Sequence, residues 1–198
     1  MQRRELIKLS ALLLGTAASF SVSRALLAGA NAAPGAAAKV FNSTQQTAID
    51  LLSDMIIPTT DTPGAVAAGV PDFIASIIGE WYTDTERDIF FAGLNALDKY
   101  CFKQKGQPFH QATEATRIAA LQDQERLAAE YKSAIPGELL AKPAEDEHAP
   151  FFKKIKELVV LGYYSSEVGA TQELAYRPVP GEYNGNYEFA KVGRQWSH

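Results

Sequence analysis

Residues 83–106 read TDTERDIFFAGLNALDKYCFKQKG and combine a helix start signal, an apolar repeat and a helix stop signal. Thr83 and Glu86 match the capping-box pattern, in which each side chain accepts a hydrogen bond from the backbone of the other. Gly106 is a typical helix-ending residue. The apolar residues between them recur at helical spacing, at Ile89, Phe90, Leu94, Leu97 and Cys101. The stretch therefore predicts one long amphipathic helix.

Helical patterns on both sides extend this architecture. Before the long helix, a capping-box pattern at Ser43 and Gln46 predicts a first helix, and Pro71 opens a second one. After it, a fourth helix is predicted over about residues 113–132, and Pro150 starts the last long helix. No strand pattern of useful length appears. The sequence predicts an all-α fold, a single domain of five to six helices with long loops and an irregular, aromatic-rich C-terminal tail.

Each predicted helix carries an apolar set that is expected to face the core. Packing of these sets must supply the stability, because one cysteine, Cys101, excludes an intrachain disulfide. Its place on the apolar helix face favours burial over a role as a reactive thiol. The remaining sets are Ala48, Leu51, Leu52, Met55 and Ile56 in the first helix; Phe73, Ile74, Ile77, Ile78 and Trp81 in the second; Ile118, Leu121, Leu127 and Tyr131 in the fourth; and Phe151, Phe152, Ile155, Leu158 and Val159 in the last.

The N-terminus has the pattern of an export signal. A basic segment leads into a short apolar stretch and then into small residues, where a signal peptidase cuts. The segment resembles the twin-arginine (Tat) consensus, an address for proteins that are exported after folding. The residues that carry this resemblance are Arg3, Arg4, Leu6, Ile7 and Lys8.

The boundaries follow from this signal. We predict a Tat signal peptide over residues 1–30, a flexible leader over 31–40 and the helical domain over 41–198. The sequence does not choose among cleavage after Ala30, Ala32 and Ala33. A Sec-type signal and a permanent membrane anchor are the alternatives. The apolar stretch over residues 9–23 is short and contains several polar side chains, and Arg24 follows it, so both alternatives are disfavoured.

The composition limits the partners of the exported domain. Residues 31–198 contain 15 basic and 22 acidic side chains, a net charge of −7 at pH 7. They carry no basic stripe that could neutralise phosphates. The sequence therefore excludes nucleic acid as a partner.

The search for chemistry predicts no catalytic, cofactor-binding or metal-binding residue in this chain. It has no glycine-rich nucleotide fingerprint after a strand and no cysteine pair for zinc, haem or an iron–sulfur cluster. His110, His148 and His198 are expected at the surface, and the acidic run at residues 145–147 is expected to be a solvated loop. Tat export without a cofactor pattern suggests that the chain folds against a cofactor-bearing partner that lacks its own signal.

The C-terminal quarter resembles a known family. From Phe151 the chain reads FFKKIKELVVLGYYSSEVGATQELAYRPVPGEYNG, which is similar to the small (gamma) subunit of membrane-associated bacterial sugar and sugar-acid dehydrogenases, the gluconate 2-dehydrogenase subunit 3 family. Residues 51–74, LLSDMIIPTTDTPGAVAAGVPDFI, look like the family's other characteristic segment. Together with the Tat signal, the resemblance spans nearly the whole chain and is weakest over about residues 105–148.

The residues of the C-terminal motif also make physical sense by themselves. Gly162 can end or closely pack the long helix, Ser166 with Glu167 can start a short one, and Gly169 allows close backbone approach. The aromatic-rich tail beyond Tyr176 either packs back on its own domain or lies across a partner. The motif and expected partner interface comprise Gly162, Tyr163, Ser166, Glu167, Gly169, Tyr176, Pro178, Pro180, Gly181 and Tyr183.

The resemblance implies a non-catalytic subunit of an enzyme complex. In such complexes an FAD-containing subunit of the glucose–methanol–choline (GMC) oxidoreductase type oxidises a sugar, polyol or sugar acid. Electrons pass to a cytochrome c subunit, which holds haem c, or to another acceptor. The small subunit is expected to escort the folded flavoprotein through the Tat translocase into the periplasm and to stabilise it there, associated with the membrane through the complex. The sequence does not choose among gluconate, glucose, sorbitol, fructose and a glucoside as substrate.

Two other interpretations stay open at this point. The chain could be a free-standing periplasmic enzyme with an unrecognised site. It could also be a lone binding or structural protein that an uncleaved signal holds at the membrane.

Overall fold

The computed structural model describes residues 40–132, 146–177, 181, 186 and 188–197. The predicted Tat residues Arg3, Arg4, Leu6, Ile7 and Lys8, and the leader up to residue 39, lie outside the described residues, as do Pro178, Pro180, Tyr183 and His198. The described residues belong to one compact unit.

The described chain is helical and has no β-strand, which confirms the all-α prediction. Five helices of eleven or more residues form the body: α1 (Ser43–Ile56), α2 (Val70–Glu80), α3 (Asp84–Lys105), α4 (Glu114–Ala129) and α5 (Phe151–Ser165). A 3₁₀ turn at Phe109–Gln111, a π-helical turn at Gly169–Glu173 and the short helix α6 (Phe189–Val192) complete the described part. The sequence predicted five to six helices, and the described part has six α-helices and these two further helical turns.

Local signals place most of the helix ends. Thr83 caps α3 with the predicted Glu86 box, and Gly106 ends it in the left-handed conformation at φ 69°. Pro71 lies in the first turn of α2, and Pro150 is the residue that precedes α5. The box at α1 was predicted one residue too late: Asn42, not Ser43, accepts from the backbone, and Gln45, not Gln46, bonds back. Asn is as good a cap as Ser, and it stands first.

Helix α5 organises the core by packing against α2, α3 and α4 and touching α1. Its Phe151 ring meets Phe90 of α3 edge to face, with centroids 5.1 Å apart. Phe90 also packs against Phe41, Tyr82 and Phe91. The predicted apolar faces of α3 and α5 are confirmed for their buried members, Phe90, Leu94, Leu97, Cys101, Phe151, Ile155, Leu158 and Val159.

Two predicted core faces are wrong in part. Trp81 follows the last residue of α2 and is exposed, because the helix has ended before this position turns inward. Helix α4 buries Thr116, Ala120 and Ala128 instead of its large apolar residues.

The reason lies in how α4 sits between its neighbours. It contacts both α3 and α5, and its small side chains let these helices approach closely. Ile118 then lies on another side and is 41% exposed, while Leu127 in the last turn is 46% exposed. Tyr131 lies beyond the end of α4 and is half-buried, and Leu121 is half-buried as well. Size and polarity alone therefore did not identify the core side of this helix.

Candidate functional site

The motif residues at the end of α5 form an internal junction with the loop before α2. Tyr163 is 2% exposed and donates a hydrogen bond from its hydroxyl to the Pro63 carbonyl at 2.8 Å. Gly162 faces Phe73 of α2, and a Cβ at this glycine would stand 2.7 Å from the Phe73 ring. A larger residue there would require the Phe73 ring or the two helices to shift.

The π-helical turn after α5 is held by the predicted Ser166 and Gly169. The Ser166 hydroxyl donates to the Tyr163 carbonyl at 2.6 Å and accepts from the Gly169 backbone N–H at 3.0 Å. A Cβ at Gly169 would overlap the Tyr163 carbonyl, so the turn can close only with glycine. From this turn Glu173 accepts a hydrogen bond from the Thr62 hydroxyl at 2.7 Å. The two segments that resemble the family thus meet in space.

The motif residues therefore divide into an inner and an outer group. Gly162, Tyr163 and Gly169 are buried, so they position the junction and do not reach a partner themselves. Glu167, Tyr176 and Gly181 are exposed. A partner interface at this motif stays a prediction, and its contacts would have to come from the outer group.

The end of the C-terminal tail folds back onto its own domain. The backbone of Ala175 pairs with the tail, since its N–H donates to the Gln195 carbonyl at 2.7 Å and its carbonyl accepts from the Ser197 N–H at 3.1 Å. Arg194 donates to the Gln172 carbonyl at 2.7 Å. Among the tail aromatics, Phe189 and Trp196 nevertheless stay exposed. The hydrogen bonds of residues 194–197 thus match the interpretation that the tail packs on its own domain. The exposed rings of Phe189 and Trp196 leave contact with a partner open.

The outer face of α5 changes character along its length. Its first two turns expose Lys156, whereas Val160, Leu161 and Tyr164 are exposed on its last two turns. Neighbours three and four residues apart lie side by side on a helix, so these three side chains form one apolar patch. We call it the α5 patch. Contiguous apolar surface of this kind is typical of protein interfaces.

A groove lies between α1, α4 and α5 and carries the exposed Ile118. It encloses about 440 Å³. Its floor is apolar and comes from all three helices, and its rim carries three carboxylates and one ammonium group. We call it the α1–α4–α5 groove. It is lined by Asp54, Met55, Ile56 and Pro58 of the first segment; Glu114, Ile118, Leu121, Gln122 and Glu125 of α4; and Phe152 and Lys156 of α5.

A second, shallower depression lies between α3, α4 and the start of α5. It encloses about 490 Å³ and includes Ile89, Leu127, Tyr131 and Pro150 among its lining residues. It contains the second exposed apolar residue of α4. Both large apolar residues that α4 turns away from the core therefore border a concave surface.

A buried lysine links α5 to the start of α3. Lys154 is 1% exposed, and its Nζ lies 3.1 Å from Glu86 Oε1 and 3.2 Å from the carbonyl oxygen of Asp146. It also lies 5.2 Å from the centre of the Tyr82 ring. Burial of Tyr82, followed by the negative charges of Glu86 and Glu157, raises the pKa of its hydroxyl far above its usual value. Because these groups are enclosed by protein, they hold elements together and do not face a substrate.

Two residues of the acidic run before α5, Asp146 and Glu147, are described, while Glu145 lies outside the described residues. Asp146 is buried and accepts hydrogen bonds from the Tyr131 hydroxyl at 2.9 Å and the His148 backbone at 3.0 Å. Glu147 is exposed and accepts from the Thr83 hydroxyl at 2.7 Å. Hydrogen bonds from Thr83 and Thr85 hold the pKa of the Glu147 carboxyl below its usual value. The prediction is right for Glu147 and wrong for Asp146.

The remaining candidate residues for chemistry are separate from one another. Cys101 is buried as predicted, and desolvation, followed by the charge of Asp98, raises the pKa of its thiol. His148 is exposed as predicted, whereas His110 is half-buried in the 3₁₀ turn. Within the described ranges no group of three or more His, Cys, Asp or Glu side chains could hold a metal ion.

The sequence interpretation missed Lys154 and the groove. Lys154 falls three residues after Phe151 and four before Leu158, at the spacing of the buried face of α5, and this position was a readable signal. The groove had no comparable signal, because it depends on where the ends of α1, α4 and α5 meet. None of the helices in the described ranges is both long enough and apolar enough to span a bilayer.

Comparison with protein families gives a match over most of the chain. The family model described as gluconate 2-dehydrogenase subunit 3 matches residues 43–181, from the first residue of α1 to beyond the π-helical turn. No curated protein and no solved structure gives a match.

Proposed function

Because the chain belongs to the gluconate 2-dehydrogenase subunit 3 family, we propose that it is the non-catalytic small subunit of an oxidoreductase complex. The observation that carries this proposal is the extent of the family match. It covers α1 to α5 and the junction between the two characteristic segments, so it concerns the whole helical body and not a fragment.

The proposed partner is an FAD-dependent subunit of the GMC type that oxidises a sugar, polyol or sugar acid. It holds the FAD, and a cytochrome c subunit with haem c or another acceptor receives the electrons. Exposed apolar surface supports a role in binding another protein, since large apolar side chains remain at the α5 patch, the groove and the tail. In the complex, the flavoprotein covers this apolar surface of the small subunit. The small subunit in turn stabilises the flavoprotein by binding its folded form.

The proposed second role is export of the partner. The Tat-like residues Arg3 and Arg4 stand ahead of the helical domain, and Tat carries folded proteins. A flavoprotein that has bound FAD in the cytoplasm can then cross with the small subunit into the periplasm. The complex would stay there, associated with the membrane through its other subunits.

The test is affinity purification of this chain from the periplasmic fraction and from detergent-solubilised membranes of its native host. We expect a flavoprotein to co-elute in stoichiometric amount, with the absorption bands of oxidised flavin, and a panel of sugars with a dye acceptor to reveal dehydrogenase activity. A colourless protein that elutes alone would contradict the proposal.

A variant tests the escort role separately. Arg3→Lys together with Arg4→Lys should leave both proteins in the cytoplasm, still bound to each other, because the helical domain is unchanged. A flavoprotein that reaches the periplasm normally beside this variant would contradict the escort role while leaving the subunit role intact.

A further inference from the structure

The α1–α4–α5 groove is long enough to bind about three turns of a helix. Its α4 wall runs from Glu114 to Glu125, and the lining positions on this helix recur at intervals of three, four and one residues along one side. Eleven residues of α-helix span about 16 Å, or three turns. Grooves of this kind between helices accept amphipathic helices, which insert apolar side chains at positions i, i+3 or i+4, and i+7.

The floor of the groove offers apolar anchoring sites. Ile118 is exposed, and Met55 and Leu121 are half-buried beside it. Phe152 adds an aromatic ring that Lys156 covers, with its Nζ 5.8 Å from the ring centre. These side chains would bury further area against a partner, and each apolar Å² removed from water contributes about 25 cal/mol.

The polar groups of the groove do not converge on a small molecule. Small-ligand sites usually combine an apolar pocket with a few placed polar groups. In the part of the chain that the structure describes, the buried polar side-chain atoms without a hydrogen-bond partner are Ser53 Oγ, His110 Nδ1 and Arg117 Nε, and none of these residues lines the groove. The polar groups at the groove lie on its exposed rim.

The rim carries an excess of negative charge. Asp54, Glu114 and Glu125 stand there against Lys156 alone, and within the described ranges none of the three carboxylates forms an ion pair. Elsewhere on α4, Arg126 is already paired with Asp123 and Glu130. A partner with basic side chains beside its apolar stripe would complement this rim.

We propose that the groove binds a basic amphipathic helix of the catalytic flavoprotein, about three turns long, with apolar anchors on one side and Lys or Arg along its flank. This inference rests on the proposed function, since it assigns the flavoprotein to a particular surface. The apolar anchors supply affinity, and the acidic rim speeds association and sets the orientation of the bound helix.

Cross-linking from a defined position identifies the occupant. A photoreactive phenylalanine analogue replaces Ile118 in the small subunit, or Leu127 as a control, and the complex is otherwise unchanged and purified. Nine residues separate the two, which places them about half a turn apart on α4, and both are similarly exposed. We expect Ile118 to cross-link to a flavoprotein peptide with apolar residues at helical spacing and flanking Lys or Arg, and Leu127 not to reach that peptide.

Several results would overturn the inference. Cross-links from Ile118 to a second copy of this chain, to its own residues 1–39, or to nothing in an intact complex would each assign the groove another role. If the complex is intact and these results are obtained, the proposed function still holds and only the assignment of the groove as the binding site is refuted. Absence of a flavoprotein from the wild-type purification overturns both.

Substitutions separate the apolar and the charge contributions. Ile118→Ser should weaken flavoprotein binding on the order of tenfold to hundredfold, as removal of a central anchor does, while Leu127→Ser changes it less than about threefold. Equal losses for both would contradict the groove.

Glu125→Lys tests the rim and has a matched control in Glu80→Lys. Both carboxylates are exposed near the carboxyl ends of their helices, where a lysine is favoured, so the fold is preserved. We expect Glu125→Lys to weaken binding roughly fivefold at low ionic strength and to flatten its dependence on salt, whereas Glu80→Lys leaves both unchanged. Wild-type binding that does not respond to salt would contradict a basic partner helix.

Discussion

Helices α3 and α4 both carry large apolar side chains at helical spacing, but they place them in opposite ways. In α3, Phe90, Leu94 and Leu97 are in the core, while Phe102 is exposed. Helix α4 turns small residues such as Ala120 inward and leaves Ile118 and Leu127 at the surface. The comparison shows that large apolar residues on a helix have two uses. In α3 most of them build the core, and in α4 two of them provide apolar surface that the domain itself does not cover.

The buried aromatic of α3 gives the largest expected effect on stability. Phe90→Ala should lower the free energy of unfolding by about 3–5 kcal/mol, because the side chain contacts four other rings and leaves a cavity. Phe102→Ala is the control on the same helix, where the ring is 54% exposed, and should cost less than about 1 kcal/mol. Urea denaturation measures both. Similar costs for the two variants would mean that Phe90 is not a core residue.

The ion pair between α3 and α5 ranks next. Lys154→Met should cost about 3 kcal/mol, because the Glu86 carboxylate then stays enclosed without its partner. Adding Glu86→Gln removes the uncompensated charge and keeps a side chain that can still cap Thr83. We therefore expect the double variant to be more stable than Lys154→Met in thermal denaturation. A double variant that is less stable would indicate that Glu86 contributes mainly through other contacts.

Overpacking tests the inward side of α4. Ala120 is fully buried, so Ala120→Leu should lower the unfolding free energy by about 2 kcal/mol, since the added volume pushes α4 away from α3 and α5. Ile118→Ser on the groove side should change it by less than about 1 kcal/mol. The pair is measured by urea denaturation of the isolated chain. A neutral Ala120→Leu would show that the contact is loose and would weaken the contrast between the two helices.

The helix caps give the smallest effects. Thr83 bonds to both Glu86 and Glu147, whereas Thr113 of α4 accepts only from the Thr116 backbone, at 3.4 Å, besides its hydroxyl contact with Thr116. We expect Thr83→Ala to cost about 1–2 kcal/mol and Thr113→Ala about 0.5–1 kcal/mol. Equal costs, measured by urea denaturation at pH 7, would contradict this ranking.

At acidic pH, Thr83→Ala should lower the free energy of unfolding by less than it does at pH 7, so its cost should approach that of Thr113→Ala. The pKa of Glu147 is lowered in the folded chain, so its contribution to stability is complete above the usual glutamate pKa and is lost as the pH falls through the lowered value. Thr83→Ala should raise the pKa of Glu147, which an NMR titration of its carboxyl carbon would measure. An unchanged pKa would leave Thr85 as the main hydrogen-bond donor to this carboxylate.

The sequence predicted elements whose signals are local. Thr83 with Glu86, Pro71 and Gly106 act through their own backbone neighbourhood, and they lie where the patterns placed them. Trp81 and Ile118 were assigned to the core and are exposed, because the side of a helix that meets its neighbours depends on packing between distant segments. A large apolar side chain is therefore not always buried, because a helix side with small residues can pack more closely against its neighbours.

The candidate site follows the same division. The motif glycines Gly162 and Gly169 were predicted to allow close packing, and both lie against neighbouring groups that leave no room for a Cβ. The groove could not be predicted, since its walls come from three helices. Its negative rim likewise arises from residues such as Asp54 and Glu125 that stand far apart in the chain.

The junction at Thr62, Pro63, Tyr163 and Glu173 bears on the order of folding during synthesis. Its hydrogen bonds connect residues 100 and 111 positions apart. Closing such long loops is entropically costly, and contacts of high sequence separation slow folding. The ribosome must also deliver Glu173 before the junction can close. The amino-terminal helices therefore emerge well before the structure that locks them, and a partner that recognises the locked form would bind only chains that have been synthesised beyond Glu173.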